Sequence, residues 1–197
     1  MMKQTSVPEL SLTHGQLLWA VSLGRDPSEE VRDRARYLRQ KGIPRPNTGE
    51  GPGRGHQLTY RFDDLVLVGL GLLALADGYK PGKLSEYLVD ERQRFLSIVH
   101  EAWLDLPRDI LDDPDCKAPG ASKILYEYEF YVRLSGRSRS EEARLDFVPM
   151  LMAPDEPPIP VELVPGELPA KVYPLKQWMP KWVAWARDAP DIRRGPP

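Results

Sequence analysis

The sequence predicts an α+β fold: an N-terminal winged helix-turn-helix with a long following helix, then a small C-terminal β-hairpin/α module. Three observations carry this expectation. Two amphipathic helical stretches precede residue 42 and are separated by Gly24. A glycine-rich loop then runs into the alternating residues Leu58, Tyr60 and Phe62. Far along the chain, Ile124, Tyr126, Tyr128, Phe130, Val132 and Leu134 alternate strictly, and Trp178, Trp182 and Trp185 follow at helical spacing. Alternation marks a half-buried strand, and recurrence at i, i+4 and i+7 marks one face of a helix.

The first helix is expected over 13–23, with Leu17, Leu18, Ala20 and Val21 on its apolar side, Trp19 adding bulk, and Gly24 ending it. The second is expected to start with Asp26 as cap, Pro27 in the first turn and Glu29 three residues after the cap. It should run to about Lys41, burying Val31, Ala35 and Leu38, with Gly42 and Pro44 as its stop. Arg32, Arg36 and Arg39 repeat that spacing one residue later, so they form a basic ridge beside the buried stripe. Two helices joined by a short glycine-containing turn make a helix-turn-helix pattern, whose second helix enters a major groove when it carries outward cations.

Residues 45–57 read as a flexible glycine-rich wing loop carrying Arg54 and His56, followed by a short strand at 58–62. A nucleotide-phosphate loop is excluded, because no strand precedes it and no Lys-Ser/Thr opens a helix after it. Asp63 is the expected cap of a third helix, 64–76, apolar nearly all round and therefore core, with Gly69 and Gly71 allowing close packing. A long fourth helix is expected over 83–104. Leu84, Leu88, Phe95, Ile98 and Ala102 approximate a seam broken near Glu91 or Arg92. Such a seam serves either an intermolecular contact or packing back onto its own domain.

The second half is read as a linker at 107–122, a strand from 123 paired in a hairpin with 143–152, and proline-rich 154–174 with a short strand near 161–164. Asp112, Asp113 and Asp115 lack the glycine-centred loop of a calcium site. A last helix over 175–188 carries the tryptophan stripe, with Pro180 in its first turns. That stripe suits core, a ligand pocket or an exposed interaction surface. The expected divisions are thus a DNA-binding domain at 10–82, a dimerisation helix at 83–106, the linker, and a module at 123–197.

Composition bounds the classes. The chain has 197 residues, 41% of them hydrophobic and 28% charged, as an ordinary globular protein has. One cysteine, Cys116, excludes a disulfide framework within the chain. The longest apolar run, 65–76, is too short to span a bilayer, and no basic-then-apolar leader opens the chain, so a cytoplasmic location is expected. The net charge of −2 conceals an asymmetry: between residues 32 and 61, eight basic residues stand against Asp33 and Glu50, a local +6. That is either a solvated helix face or the footprint of a phosphate backbone.

The stretch Arg36-Tyr37-Leu38-Arg39-Gln40-Lys41-Gly42-Ile43-Pro44-Arg45-Pro46 resembles the Arg-Tyr-Tyr … Gly-Leu-Leu-x-Pro segment of MerR-type regulators. Tyr60, Asp64, Leu65 and Gly78-Tyr79 fall at the spacings of that family's wing tyrosine, its following Asp-Leu and its terminal Gly-Phe. The resemblance covers about residues 12–90. It implies that Arg36 and Tyr37 contact the DNA backbone and that the helix after the wing makes a two-fold dimer. The spacing from Gly24 to Gly42 is longer than the family's, and the wing lacks its Gly-Tyr-Arg run.

The expected function is therefore sequence-specific binding of double-stranded DNA by a dimeric transcriptional regulator on the nucleoid. The alternatives are an excisionase-like architectural DNA-binding factor and a protein-interaction adaptor without DNA binding. The DNA-binding set is Arg32, Arg36, Tyr37, Arg39, Lys41, Arg45, Arg54, His56 and Arg61. The dimerisation set is Leu84, Leu88, Phe95, Ile98 and Ala102. A small molecule or a protein partner is expected at the C-terminal module. His14, His56 and Cys116 are isolated, as is His100, so no catalytic group, metal or cofactor is expected.

Overall fold

Helix α3, Phe62–Ala76, is the centre on which the other elements are built. Leu65, Val66, Leu67, Val68, Leu70 and Ala74 are all at most 2% exposed, on every side of the helix, so it must be surrounded by other elements. The computed structural model describes residues 3–44, 58–79, 81–117, 131–137 and 167–191. Around α3 stand α1 (His14–Val21), α2 (Glu29–Gln40), α4 (Pro81–Asp90), α5 (Arg92–Leu104) and α6 (Leu175–Arg187).

Local sequence explains most helix ends. Thr13 and Gln16 form a reciprocal capping box at α1, the Gln16 N–H donating to Thr13 Oγ1 at 3.2 Å and the Thr13 N–H to Gln16 Oε1 at 2.9 Å. At α3 the side chain of Asp64 reaches back and accepts from the Arg61 N–H at 2.9 Å. Helix α3 therefore begins at Phe62, earlier than the expected Asp63 cap allows. Only one bridge, Leu12 to Tyr60, is left where a strand over 58–62 was expected.

The expected fold class is corrected on this point and on two others. The body is helical and holds no sheet, so no β wing is seen among the described residues; loop 45–57 lies outside them. The long helix over 83–104 is two helices, α4 and α5, interrupted at Glu91. The interruption lets Leu84 and Leu88 in α4 and Phe95, Val99 and Ala102 in α5 all reach one core. Finally, the expected C-terminal β-hairpin is not seen among the described residues. Tyr131–Arg137 (β1) runs antiparallel to Glu167–Pro174 (β2), a pairing of distant segments that joins the helical body at Tyr173, and 143–152 lies outside the described residues.

Helix α6 is not part of a separate module. It packs against α1, α3 and α5, although a long stretch of chain separates it from them. Trp182 is 1% exposed, and a Cβ added at Gly69 of α3 would lie 2.7 Å from its ring. Leu38 of α2 fills the neighbouring notch, 2.9 Å from a Cβ added at Gly71. Trp185 covers Gly24, whose φ of +72° ends the turn after α1. The tryptophan stripe is thus core, with Trp178 stacked on Trp182 at 5.7 Å between centroids.

Polar ties close the body. Lys176, only 2% exposed, pairs with Asp105, which also receives Lys3. The Tyr173 hydroxyl donates to Asp77 Oδ2 at 2.5 Å, fastening the start of α6 to the end of α3. Gln4 N–H donates to the Leu106 carbonyl at 3.0 Å and Trp103 Nε1 to the Ser6 carbonyl at 3.1 Å, so the N-terminal segment is laid along the end of α5.

Two outcomes follow. Gly69→Ala forces overpacking against Trp182 of about 3 kcal/mol, less the roughly 1 kcal/mol that alanine gains over glycine in a helix. The expected net loss in urea unfolding is about 2 kcal/mol, and a stabilised variant would refute the notch. For Asp105, partial burial pushes the carboxyl upward, but Lys176 and Lys3 outweigh it and hold it below the ordinary carboxylate range. A depressed folded-state value means that the pairing stabilises fully above the unfolded value and is lost as pH falls through the folded one. Asp105→Asn should cost about 1–3 kcal/mol at neutral pH, with the gap to wild type narrowing below about pH 4.

Candidate nucleic-acid interface

Helix α2 places most of the described candidate residues. Its cap is Ser28, whose Oγ accepts from the Val31 N–H at 3.3 Å, so Asp26 and Pro27 stand before the helix and not in it. Ala35 and Leu38 are buried against α3, with Val31 half-buried beside them. Gly42, at φ +82°, turns the chain so that Ile43 N–H donates back to the Leu38 carbonyl at 2.9 Å and the Ile43 side chain is buried. One side of α2 is therefore locked, and the other is left to solvent.

On that outer side Arg32, Arg36, Arg39 and Lys41 are exposed, and Tyr37 is half-buried with the Lys41 ammonium 5.7 Å from its ring centroid. Arg61 is exposed at the start of α3. Arg45, Arg54 and His56 lie outside the described residues.

Acids lie against the ridge and pair with it. Arg32 Nη2 donates to Asp26 Oδ1 at 2.7 Å, and its Nε donates to the Pro27 carbonyl at 3.0 Å. Arg36 Nη1 donates to Asp33 Oδ1 at 2.7 Å, and Arg34 pairs with Glu30 at 2.5 Å. With side chains of Arg32 and Arg36 51% and 61% exposed, such pairs are worth only about 0–1 kcal/mol each. A single pair of that kind, as at Arg36, is exchangeable in favour of another anion, whereas Arg32 keeps a second hold on the Pro27 carbonyl. Arg39 and Arg61 have no ion pair among the described residues. The signal that could have found these partners was the i, i+4 spacing of Glu30–Arg34 and the i, i+3 spacing of Asp33–Arg36.

The dimerisation set goes elsewhere. Leu84, Leu88, Phe95 and Ala102 are buried at 2% exposure or less within the single chain, and Ile98 packs partly buried against the same core. They offer no seam to a second copy. Nor does the tryptophan stripe offer a free aromatic surface to a small molecule or protein, since Trp182 is core and Trp178 and Trp185 are partly buried against it.

Other chemistry is sparse among the described residues. His100 Nε2 lies 2.6 Å from Asp63 Oδ1, beside Phe62, and His14 faces the Tyr60 ring at 5.8 Å. Asp64, mainly through burial, is held above the ordinary carboxylate range, with Arg92 at 3.4 Å. Cys116 is buried, and that burial, with Asp113 nearby, pushes its thiol up to about 11, so it is held protonated. Among the described residues no group of three or more His, Cys, Asp or Glu side chains is placed to hold a metal, and no helix is long and apolar enough to cross a membrane. No family model, curated protein or solved structure matches the chain.

Leu88→Ala should lower unfolding stability by about 2–5 kcal/mol, the range for an emptied buried leucine. Light scattering should give the same mass for variant and wild type. A halved mass with unchanged stability would return Leu88 to a subunit interface.

Proposed function

We propose that the chain binds double-stranded DNA through the outer face of α2 and acts on the nucleoid as a non-enzymatic transcriptional regulator. The single observation supporting this is the division of α2: one side is packed against α3, and the solvent side carries Arg32, Arg36 and Arg39 exposed at i, i+4 and i+7, with Lys41 exposed at the C-cap. Long cations on a rigid helix suit a phosphate backbone, because the fixed scaffold sets the register and the flexible tips reach the oxygens. Tyr37 at the same end, and the resemblance of 36–46 to MerR-type regulators, favour the same partner. The reading rests on one copy; a second copy would have to use a face other than the Leu84–Leu88–Phe95 side.

The test is fluorescence anisotropy of a labelled duplex titrated with the full chain at several salt concentrations. Binding should weaken as salt rises, with a logarithmic slope of about −0.9 for each phosphate neutralised. The variant Arg36→Ala/Arg39→Ala/Lys41→Ala should flatten that slope by about 2–3 units while its circular dichroism stays that of the wild type. Salt-independent or absent binding by the wild type would overturn the proposal in favour of a protein-only adaptor.

A further inference from the structure

We infer that the acids interleaved with the arginines of α2 decide which end of the helix meets the duplex. The inference rests on the DNA-binding reading above and names the residues that set its geometry and strength. Asp26, Glu30 and Asp33 occupy Arg32, Arg34 and Arg36 in ion pairs at 2.7, 2.5 and 2.7 Å. With Glu29 they place three exposed carboxylates in the first half of the helix and a fourth, Asp26, just before its cap. The second half carries none: Arg39 stands there with no ion pair among the described residues, and Lys41 follows at the C-cap, 5.7 Å from the Tyr37 ring. A phosphate approaching the first half meets like charge before it meets a cation; the last turn of α2 and its C-cap carry cations and no carboxylate.

The docking end is therefore the C-terminal turn of α2, with Arg39 and Lys41 on phosphate and Arg36 joining once it exchanges Asp33 for a phosphate oxygen. Arg32 stays out. It is tied twice to the segment before the helix, through Asp26 Oδ1 and the Pro27 carbonyl, and serves to fasten that segment. Asp33 is the residue that competes directly with DNA, because its partner is the cation nearest the docking end. The acids also complement the helix dipole at the start of α2. A role confined to helix stability would leave affinity unchanged when they are neutralised.

Duplex affinity and its salt slope should be measured for wild type, Asp33→Asn, Arg32→Ala, Arg39→Ala/Lys41→Ala, and Asp109→Asn/Asp112→Asn as a control for net charge on an exposed turn elsewhere. Asp33→Asn should tighten binding about threefold to tenfold at low salt, a gain that fades as screening rises. The Asp109/Asp112 variant should gain less than twofold, roughly, although it removes two charges. Arg39→Ala/Lys41→Ala should flatten the slope by about 2 units and Arg32→Ala by about 0. If Asp33→Asn binds no tighter than the control, or Arg32→Ala flattens the slope as much as the double variant, the inference fails while DNA binding stands. If neither wild type nor Asp33→Asn binds duplex, the reading beneath it fails as well.

Discussion

Two missing side chains on α3 set the geometry of this protein. At Gly69 and Gly71 a methyl group would collide with Trp182 and with Leu38, so α6 and α2 approach the central helix more closely than any larger residue would permit. The two contacts lie two residues apart on α3, so the C-terminal helix and the basic helix are gauged from the same turn of backbone. Filling either notch would push one partner outward, because packed interiors have little slack to absorb a methyl.

This shared footing explains why the last helix behaves as core. A buried tryptophan removes roughly 150–250 Å² from water and is among the largest single contributions available to a small domain. Trp182 makes that contribution between α3 and its neighbours, while Trp185 covers the turn at Gly24 between α1 and α2. The Lys176–Asp105–Lys3 cluster and the Tyr173–Asp77 hydrogen bond then tie the same helix to α5, the N-terminal segment and α3. Helix α2 consequently cannot shift on α3 without disturbing elements that the C-terminal helix also holds. Its outer face is presented by a helix whose inner side is packed on α3.

Much of the helical body was legible in the sequence, because the buried stripe Val31, Ala35 and Leu38, the apolar run after Phe62, and the tryptophans at i, i+4 and i+7 each follow helical spacing. What was not legible depended on contacts between distant segments. The alternation Leu58–Tyr60–Phe62 reads as a strand, yet the carboxylate of Asp64 draws the helix start back to Phe62 and leaves a single bridge. The seam from Leu84 to Ala102 reads as one helix face, but those residues serve one core from two helices, a choice made by what surrounds α3 and not by their spacing. The partner of Trp182 is a glycine far back in the chain, and nothing local to either residue announces the other.

The charges on α2 illustrate the remaining gap between a sequence count and a surface. A window opening at residue 32 collects the arginines and leaves out Asp26, Glu29 and Glu30, so it reports a strongly basic segment. In three dimensions those acids sit on the same exposed side, and two of them hold arginines that the window counts as free. Exposed ion pairs contribute little to stability, so their main physical effect is on what approaches from outside. A cation with a carboxylate 2.7 Å away presents a dipole to an incoming phosphate, whereas Arg39 presents a full charge. The unequal halves of α2 thus turn a helix that looks uniformly basic in sequence into one with a direction, and that direction runs toward the last turn.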